Sequence, residues 1–130
     1  MIFEEIIQVL VNEAKKYTDV PIVIGSNPPM ESIGIDTEAN TTFIGFGNDR
    51  HFDMPTFING KSGNQEKIFK ALESIHEGFT STFPLAEAQD GSWVIFSSET
   101  TASPHEIGRE SNNQTQYLYG SSMLLRVRKG

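Results

Sequence analysis

The feature that most constrains the fold is the stretch 55–79, in which a strand-like run, a turn and a patterned helix follow one another. Ser62 and Gln65 have the S-x-x-Q spacing of a capping box, so we predict a helix that begins near Gly63. We expect this helix to end at Gly78, because a residue without Cβ readily adopts the left-handed conformation that closes helices. Four large apolar residues recur along it at helical spacing: Ile68, Leu72, Ile75 and Phe79. This apolar stripe must pack against another apolar surface.

Length and composition limit the class of protein. A chain of 130 residues is long enough to bury its own core, and we expect residues 1–130 to form one domain. Cysteine is absent, which excludes disulfides, thiol nucleophiles and thiolate metal sites. The net charge of −7 opposes binding to phosphate backbones. The bases near the end, Arg126, Arg128 and Lys129, are therefore interpreted as a solvated strand end. No apolar run approaches the length of a membrane span, so we expect no membrane partner.

The first third of the chain predicts one helix and little regular structure after it. Apolar residues recur at helical spacing from Ile2 to Tyr17, so the first helix is predicted to end near Thr18. Residues 20–24 form a short apolar run suited to a strand. Residues 25–41 are mostly polar and are predicted to be loop, with at most a short edge strand around Ile33 and Ile35.

A hairpin is predicted in the middle of the chain. The runs 42–46 and 51–58 are strand-like, and Gly47, Asn48 and Asp49 between them favour a turn. Pro55 interrupts the second run. Since proline cannot donate a hydrogen bond to a neighbouring strand, we expect this strand to lie at an edge of the sheet or to contain a bulge.

The second half predicts two further strands joined by a long polar connector. Residues 92–97 suit a strand covered by a helix, and residues 116–128 suit a long last strand with a bend at Gly120. The connector, 97–116, is either functional or disordered, because loops of this length are unusual in small domains. We therefore predict an α+β fold in which two helices pack on one face of a four- to five-stranded, mainly antiparallel sheet.

Candidate metal or catalytic residues are sparse. His51 and Asp53 could share one face of a strand, but no third ligand is spaced to join them, which favours two exposed polar residues over a metal site. His76 is interpreted as a partly charged residue near the helix end, where the helix dipole favours a cation. The sequence contains no nucleophile elbow and no phosphate-binding loop. We therefore expect no catalytic residue, no cofactor and no enzyme activity.

The segment 105–114 combines charges of both signs with amides. Such a segment suits either a solvated hairpin tip or a polar protein interface, in which charges and amides set the register between partners. Both interpretations remain open on the residues alone. If it is an interface, the candidate contact residues are His105, Glu106, Arg109, Glu110, Asn113 and Gln114.

Several ordered blocks of sequence carry a family resemblance. These blocks are F-I-N-G-K at 57–61, N-Q at 64–65, A-L-E-S-I-H at 71–76, I-G-R-E-S-N-N-Q at 107–114 and L-Y-G-S-S-M-L-L at 118–125. In this succession the chain resembles the small minor capsid proteins encoded in the head-to-tail region of long-tailed temperate phages of Gram-positive bacteria. That family is similar in fold pattern to phage tail-terminator and head–tail joining proteins.

The resemblance implies a virion structural protein that is assembled in the bacterial cytoplasm. It implies a ring of identical subunits, a hexamer in the virion, that ends the tail tube and joins it to the head. The expected partners are other copies of the chain, the tail tube protein and a head-side connector protein, with DNA passing through unbound. The alternatives are a head-side stopper or joining protein and, from a different class, a small bacterial enzyme or ligand-binding domain with a pocket near His51 and Asp53.

Overall fold

The fold combines two helices with a curled, mostly antiparallel sheet. A computed structural model describes residues 2–25, 31–37, 43–44, 50–82, 84–111 and 115–129. The helices are α1 (Ile2–Ala14) and α2 (Gln65–Ser81). The strands are β1 (Ile22–Ile24), β2 (Ser32–Thr37), β3 (Phe43–Ile44), β4 (Arg50–Ser62), β5 (Ala86–Glu87), β6 (Trp93–Ser111) and β7 (Thr115–Lys129).

The order of strands places the last one, β7, in the middle of the sheet. Six strands lie side by side in the order β1-β2-β4-β7-β6-β5, and β3 pairs with β4 outside this order. The β1–β2 pair is parallel and the other pairs are antiparallel. β4 and β7 pair from Arg50 opposite Lys129 to Ser62 opposite Tyr117. These two long strands form the centre of the sheet.

Both helices pack on the same face of the sheet, as predicted. Alternate residues of β4 and β7 are buried, among them Met54, Ile58, Met123 and Leu125. Since successive side chains of a strand point to opposite faces, these residues define one inner face. Apolar side chains of α1 and α2 join them in a single core: Ile6, Leu10, Ile68, Leu72 and Ile75. The opposite face of the sheet is called the outer face below.

The predicted number of strands was too low. β2 is a six-residue strand between β1 and β4, where the prediction allowed only a short edge strand in a loop. Its Ile33 and Ile35 are fully buried, and they are the two large apolar residues of the strand. Residues 26–30 and 38–41 of the predicted loop lie outside the described residues. The short strand β5 lies between α2 and β6.

Most of the predicted polar connector is strand. β6 continues to Ser111 and pairs with β7 as far as Ser111 opposite Thr115, with four shifts of register along the way. The prediction failed because an antiparallel strand is held by backbone hydrogen bonds to its partner. A strand that is exposed on both faces needs no apolar alternation.

The hairpin prediction is confirmed where the residues are described, but β4 is neither an edge strand nor bulged. Phe43 pairs with Phe52, and residues 45–49 lie outside the described part. The β4–β7 register is the same on both sides of Pro55. On its other side, β2 pairs only as far as Thr56, and β3 begins opposite Phe52. In the described chain Pro55 falls between these two partners, where its missing N–H costs little.

The N-terminus of α2 is capped by Asn64, and the predicted capping box was wrong. The Asn64 side chain accepts a hydrogen bond from the Lys67 N–H at 3.1 Å. Ser62 belongs to β4, and its hydroxyl accepts from the Asn64 N–H at 2.9 Å and donates to Glu31 at 2.7 Å. Gln65 donates to the Tyr119 hydroxyl at 2.7 Å. Instead of forming a capping box, Ser62 of β4 hydrogen-bonds to Glu31, and Gln65 of α2 hydrogen-bonds to Tyr119 of β7.

The predicted helix end at Gly78 was also wrong. α2 continues to Ser81, and Gly78 is a buried residue within it. A Cβ at this position would lie within 2.7 Å of three atoms of the Tyr17 ring. The Tyr17 ring in turn packs edge-on against Phe79, with ring centroids 6.2 Å apart. Glycine is thus required here by the close approach of an aromatic ring from the segment after α1.

Candidate functional site

The outer face of the sheet carries a cluster of aromatic and charged side chains on β4, β6 and β7. Arg128 lies with its guanidinium carbon 5.1 Å from the centroid of the Phe96 ring and donates to His51 Nε2 at 3.4 Å. His51 also contacts the Phe96 ring, at 5.2 Å between centroids. Arg126 Nε lies 3.5 Å from Asp53 Oδ1. Cross-strand pairing explains this arrangement, since Asp53 is opposite Arg126 and His51 is opposite Arg128.

These contacts limit the ability of His51 and Asp53 to bind a metal ion. Each side chain is half-buried and lies against an arginine, an environment that disfavours a cation. Within the described residues, no group of three or more His, Asp and Glu side chains is arranged to hold a metal ion. The two residues lie on the outer face, but they are half-buried and not exposed as expected.

The described members of the predicted interface, His105, Glu106, Arg109 and Glu110, lie near one end of the β6–β7 hairpin, where they are held by contacts within the chain. Arg109 Nε donates to Glu106 at 2.8 Å, and its guanidinium lies 5.1 Å from the Tyr117 ring centroid. The other Glu106 oxygen accepts from Gln65 at 3.0 Å. His105 Nδ1 contacts the Ser103 carbonyl oxygen at 2.7 Å. Asn113 and Gln114 lie outside the described residues.

Glu110 completes this network through an ion pair that is partly buried. Its carboxylate lies 2.7 Å from Lys61 Nζ, and the Lys61 side chain is only 11% exposed, against 47% for Glu110. A largely buried ammonium needs such a partner. The hairpin is therefore tied to the end of β4 through Glu110 and to the start of α2 through Glu106.

A second site, which the sequence analysis missed, is a cleft between α2 and β6. Its volume is about 500 Å³. We call it the α2 cleft, and its principal lining residues are Phe69, Glu73, His76 and Glu77 from α2 with Thr100 and Pro104 from β6. The two elements are joined beside it by a hydrogen bond of 2.6 Å from the Ser98 hydroxyl to the Phe79 carbonyl oxygen.

His76 is the one buried ionisable group of the α2 cleft, and the predicted charged helix-end role was wrong. The residue is 5% exposed, and its Nδ1 lies 2.8 Å from Thr100 Oγ1. Desolvation lowers its pKa to about 4, so the imidazole is neutral near pH 7. A signal was present in the sequence, because position 76 follows Leu72 by four residues and so adjoins the apolar stripe.

Comparison of the sequence with protein-family models and with curated proteins found no match. Among the described residues, no helix combines the length and the apolar character that crossing a bilayer requires.

Proposed function

We propose that this chain is a non-enzymatic structural protein of a phage virion, which forms a ring at the head–tail junction, terminates the tail tube and joins it to the head. The observation that carries the proposal beyond the sequence blocks is the one-sided packing of the helices. Both helices lie on the inner face, and the outer face presents Phe57, which is 36% exposed and lies four residues along β4 from the Asp53–Arg126 pair.

A ring subunit needs two different surfaces that fit each other. In a cyclic ring every contact is heterologous, so one patch of a subunit meets a different patch of its neighbour. The helix-covered side and the outer face of this sheet differ in shape and chemistry. This difference supports a head-to-tail arrangement of copies, for which the resemblance implies six.

The end of the β6–β7 hairpin suits contact with a neighbouring ring, either the tail tube protein or the head-side connector. A hydrogen bond from Gln65 to Glu106, the ion pair between Glu110 and Lys61, and the Arg109–Glu106 ion pair within the hairpin fix its backbone in the subunit. The side chains remain accessible, with Arg109 58% exposed. A polar surface that is ordered before it binds loses less entropy on binding. We propose His105, Glu106, Arg109, Glu110, Asn113 and Gln114 as this contact surface.

The charge of the chain is compatible with DNA that passes through the ring. A net charge of −7 repels phosphates, and a lumen without attraction for the backbone lets DNA move. No partner role for DNA beyond this passage is proposed.

The test is electron microscopy of particles from an induced prophage that lacks this gene, scored for tail length and head filling. The proposal expects overlong or variable tubes detached from filled heads. Tails of normal length beside heads that have lost their DNA would assign the protein to the head side, as a stopper. Wild-type particles would remove the virion role and favour a small enzyme or ligand-binding domain.

A matched test addresses the hairpin surface. The deletion is complemented with the Arg109→Ala/Glu110→Ala variant and, as a control, with a Lys15→Ala/Lys16→Ala variant, whose changes lie on the exposed side of the segment after α1. We expect the control to restore normal particles and the hairpin variant to leave unjoined heads and tails. Full restoration by the hairpin variant would show that these two residues are not part of the contact.

A further inference from the structure

Two surfaces of opposite charge lie on opposite sides of the sheet. On the outer face, Phe96, Arg126 and Arg128 form a surface that we call the basic patch. On the helix side, the α2 cleft is bordered by Glu73 and Glu77, which stand four residues apart and therefore on one face of the helix. Because the sheet separates them, the two surfaces of one copy cannot meet each other.

The carboxylates of the α2 cleft have no strong partner in the described chain. Neither Glu73 nor Glu77 forms a salt bridge with a described residue. Lys70 also lines the cleft, but its ammonium is held by Glu66 at 2.8 Å. The border of the cleft is thus acidic and available to a cation from outside.

His76 supplies an independent sign that the cleft receives another molecule. It lines the cleft and is 5% exposed, and its Nε2 finds no hydrogen-bond partner among the described residues. Buried polar atoms in native proteins are nearly always hydrogen-bonded. In the tautomer whose Nδ1–H donates to Thr100 Oγ1, the unpaired Nε2 is an acceptor, and a guanidinium that enters the cleft between Glu73 and Glu77 carries five N–H donors.

The arginines of the basic patch retain donors for such a contact. The Arg126 side chain is 52% exposed, and its Nε is 3.5 Å from Asp53, a separation that forms at most a weak hydrogen bond. The Arg128 guanidinium carbon lies 5.1 Å from the Phe96 ring centroid and its Nε donates to His51 at 3.4 Å, which leaves the N–H groups of its two terminal nitrogens for a partner. The aromatic ring of the patch also matches the apolar part of the cleft, Phe69 and Pro104.

We propose that the basic patch of one copy docks into the α2 cleft of the next copy, with Arg126 and Arg128 against Glu73 and Glu77. This contact rests on the proposed function, because it defines the heterologous interface of the ring. It is asymmetric, so repetition closes into a ring or continues as a filament. Because the two surfaces lie on opposite sides of the sheet, one neighbour cannot engage both of them, and this opposes a reciprocal twofold dimer.

Charge-reversal variants of the two surfaces test the contact. The Arg126→Glu/Arg128→Glu variant has two acidic surfaces, and the Glu73→Arg/Glu77→Arg variant has two basic ones. Like charges across an interface are unfavourable, so we expect each variant alone to self-associate at least about tenfold more weakly than the wild type. An equimolar mixture should recover association, because each variant now complements the other in an alternating ring. Sedimentation velocity over a range of concentrations measures both effects.

The controls separate charge from misfolding. Lys15→Glu/Lys16→Glu alters the net charge by the same amount as Arg126→Glu/Arg128→Glu but lies away from both surfaces, and it should associate like the wild type. Circular dichroism and thermal unfolding check that each variant is folded. Folded single variants that associate normally, or a mixture that fails to recover association, would overturn the contact.

Disulfide cross-linking detects weak association. Because the chain has no native cysteine, only the introduced cysteines can form disulfides. Ser74 lines the cleft, and Ser97 pairs with Arg126 beside the basic patch. Under mild oxidation the Ser74→Cys/Ser97→Cys chain should give a ladder of covalent oligomers. A mixture of the two single variants should stop at dimers. The absence of a ladder would overturn the contact, while a tail-length defect in the deletion phage would still support the proposed function; normal particles would remove that function whatever the ladder shows.

Discussion

The identity of a residue in this fold can depend on how closely one other side chain approaches its backbone, and Gly78 is the clearest example. It lies inside α2, where alanine is normally the better residue, yet the Tyr17 ring occupies the space that a side chain would fill. Gly60 is a second case, since a Cβ there would lie 2.6 Å from Ile68 Cγ1. Both glycines let another element approach the backbone.

The substitution Gly78→Ala is therefore expected to destabilise the protein. The added methyl group displaces the Tyr17 ring, and overpacking of this kind lowers the free energy of unfolding by about 1–2 kcal/mol after the gain in helix propensity. Urea denaturation measures the change. In a Tyr17→Ala background the same substitution should change sign and stabilise by roughly 0.5–1 kcal/mol. A destabilisation that persists without the ring would show that the close approach is not the cause.

His76 makes the stability of the fold depend on pH. Its pKa is lowered by burial from 6.5 to about 4. Above pH 6.5 the imidazole is neutral in both the folded and the unfolded chain. As the pH falls further, the unfolded chain binds the proton first, so the free energy of unfolding decreases until both states are protonated near pH 4.

We predict that His76 lowers the free energy of unfolding by about 2–3 kcal/mol between pH 7 and pH 4.5. The measurement compares urea denaturation of the wild type and of His76→Gln, which keeps a polar side chain without the titration. Carboxylates titrate in both proteins and cancel in the difference. Between pH 7 and pH 4.5 the free energy of unfolding of the wild type should fall by about 2–3 kcal/mol more than that of His76→Gln, whereas parallel profiles would contradict a neutral, buried His76.

At the scale of elements, α2 offers a direct comparison between the predicted and the observed cap. Asn64→Ala should lower the free energy of unfolding by about 1 kcal/mol, because the first turn loses its side-chain acceptor. Asn64→Asp should retain most of the stability, since aspartate caps as well as asparagine. Chemical denaturation with far-ultraviolet circular dichroism follows both. Equal losses in the two variants would argue against capping by this residue.

The sequence was informative about elements that carry their own pattern. The apolar stripe of α2 was sufficient to predict the helix and its buried face, and the run 116–128 was sufficient to predict the last strand, in which Met123, Leu125 and Val127 are buried. The ends of α2 were not predictable, because they depend on residues distant in sequence. Gln65 hydrogen-bonds to Tyr119, and the Tyr17 ring packs where Gly78 has no side chain. Neither partner could be identified from the residues next to Gln65 or Gly78.

Long-range pairing also explains what was missed in the sheet and the sites. The polar half of β6 is a strand because β7 lies beside it. The predicted residues Glu106, Arg109 and Glu110 do lie together, but their partners Gln65, Lys61 and Tyr117 could not be inferred from spacing. The α2 cleft is formed by the packing of α2 against β6, and this packing could not be inferred from the sequence. Its His76 was noticed in the sequence and given the wrong role.

For the whole molecule, the order of strands predicts how stability is distributed. β4 and β7 each have long partners on both sides, whereas β1 and β5 are short strands at the two ends of the sheet. Amide hydrogen exchange should therefore be slowest in Met54, Ile58, Met123 and Leu125 and fast in β1 and β5. Equal protection of β1 and β7 would contradict the central position of the last strand.

The position of β7 also has a consequence for synthesis on the ribosome. A chain is made from its N-terminus, and β4 is complete more than fifty residues before β7 begins. Until β7 emerges, the β7-side edge of β4 has no partner, and β6 lacks the strand to which most of its hydrogen bonds are made. Unpaired edges of this kind invite pairing with other chains. The nascent protein therefore passes through its most aggregation-prone form just before its last strand closes the centre of the sheet.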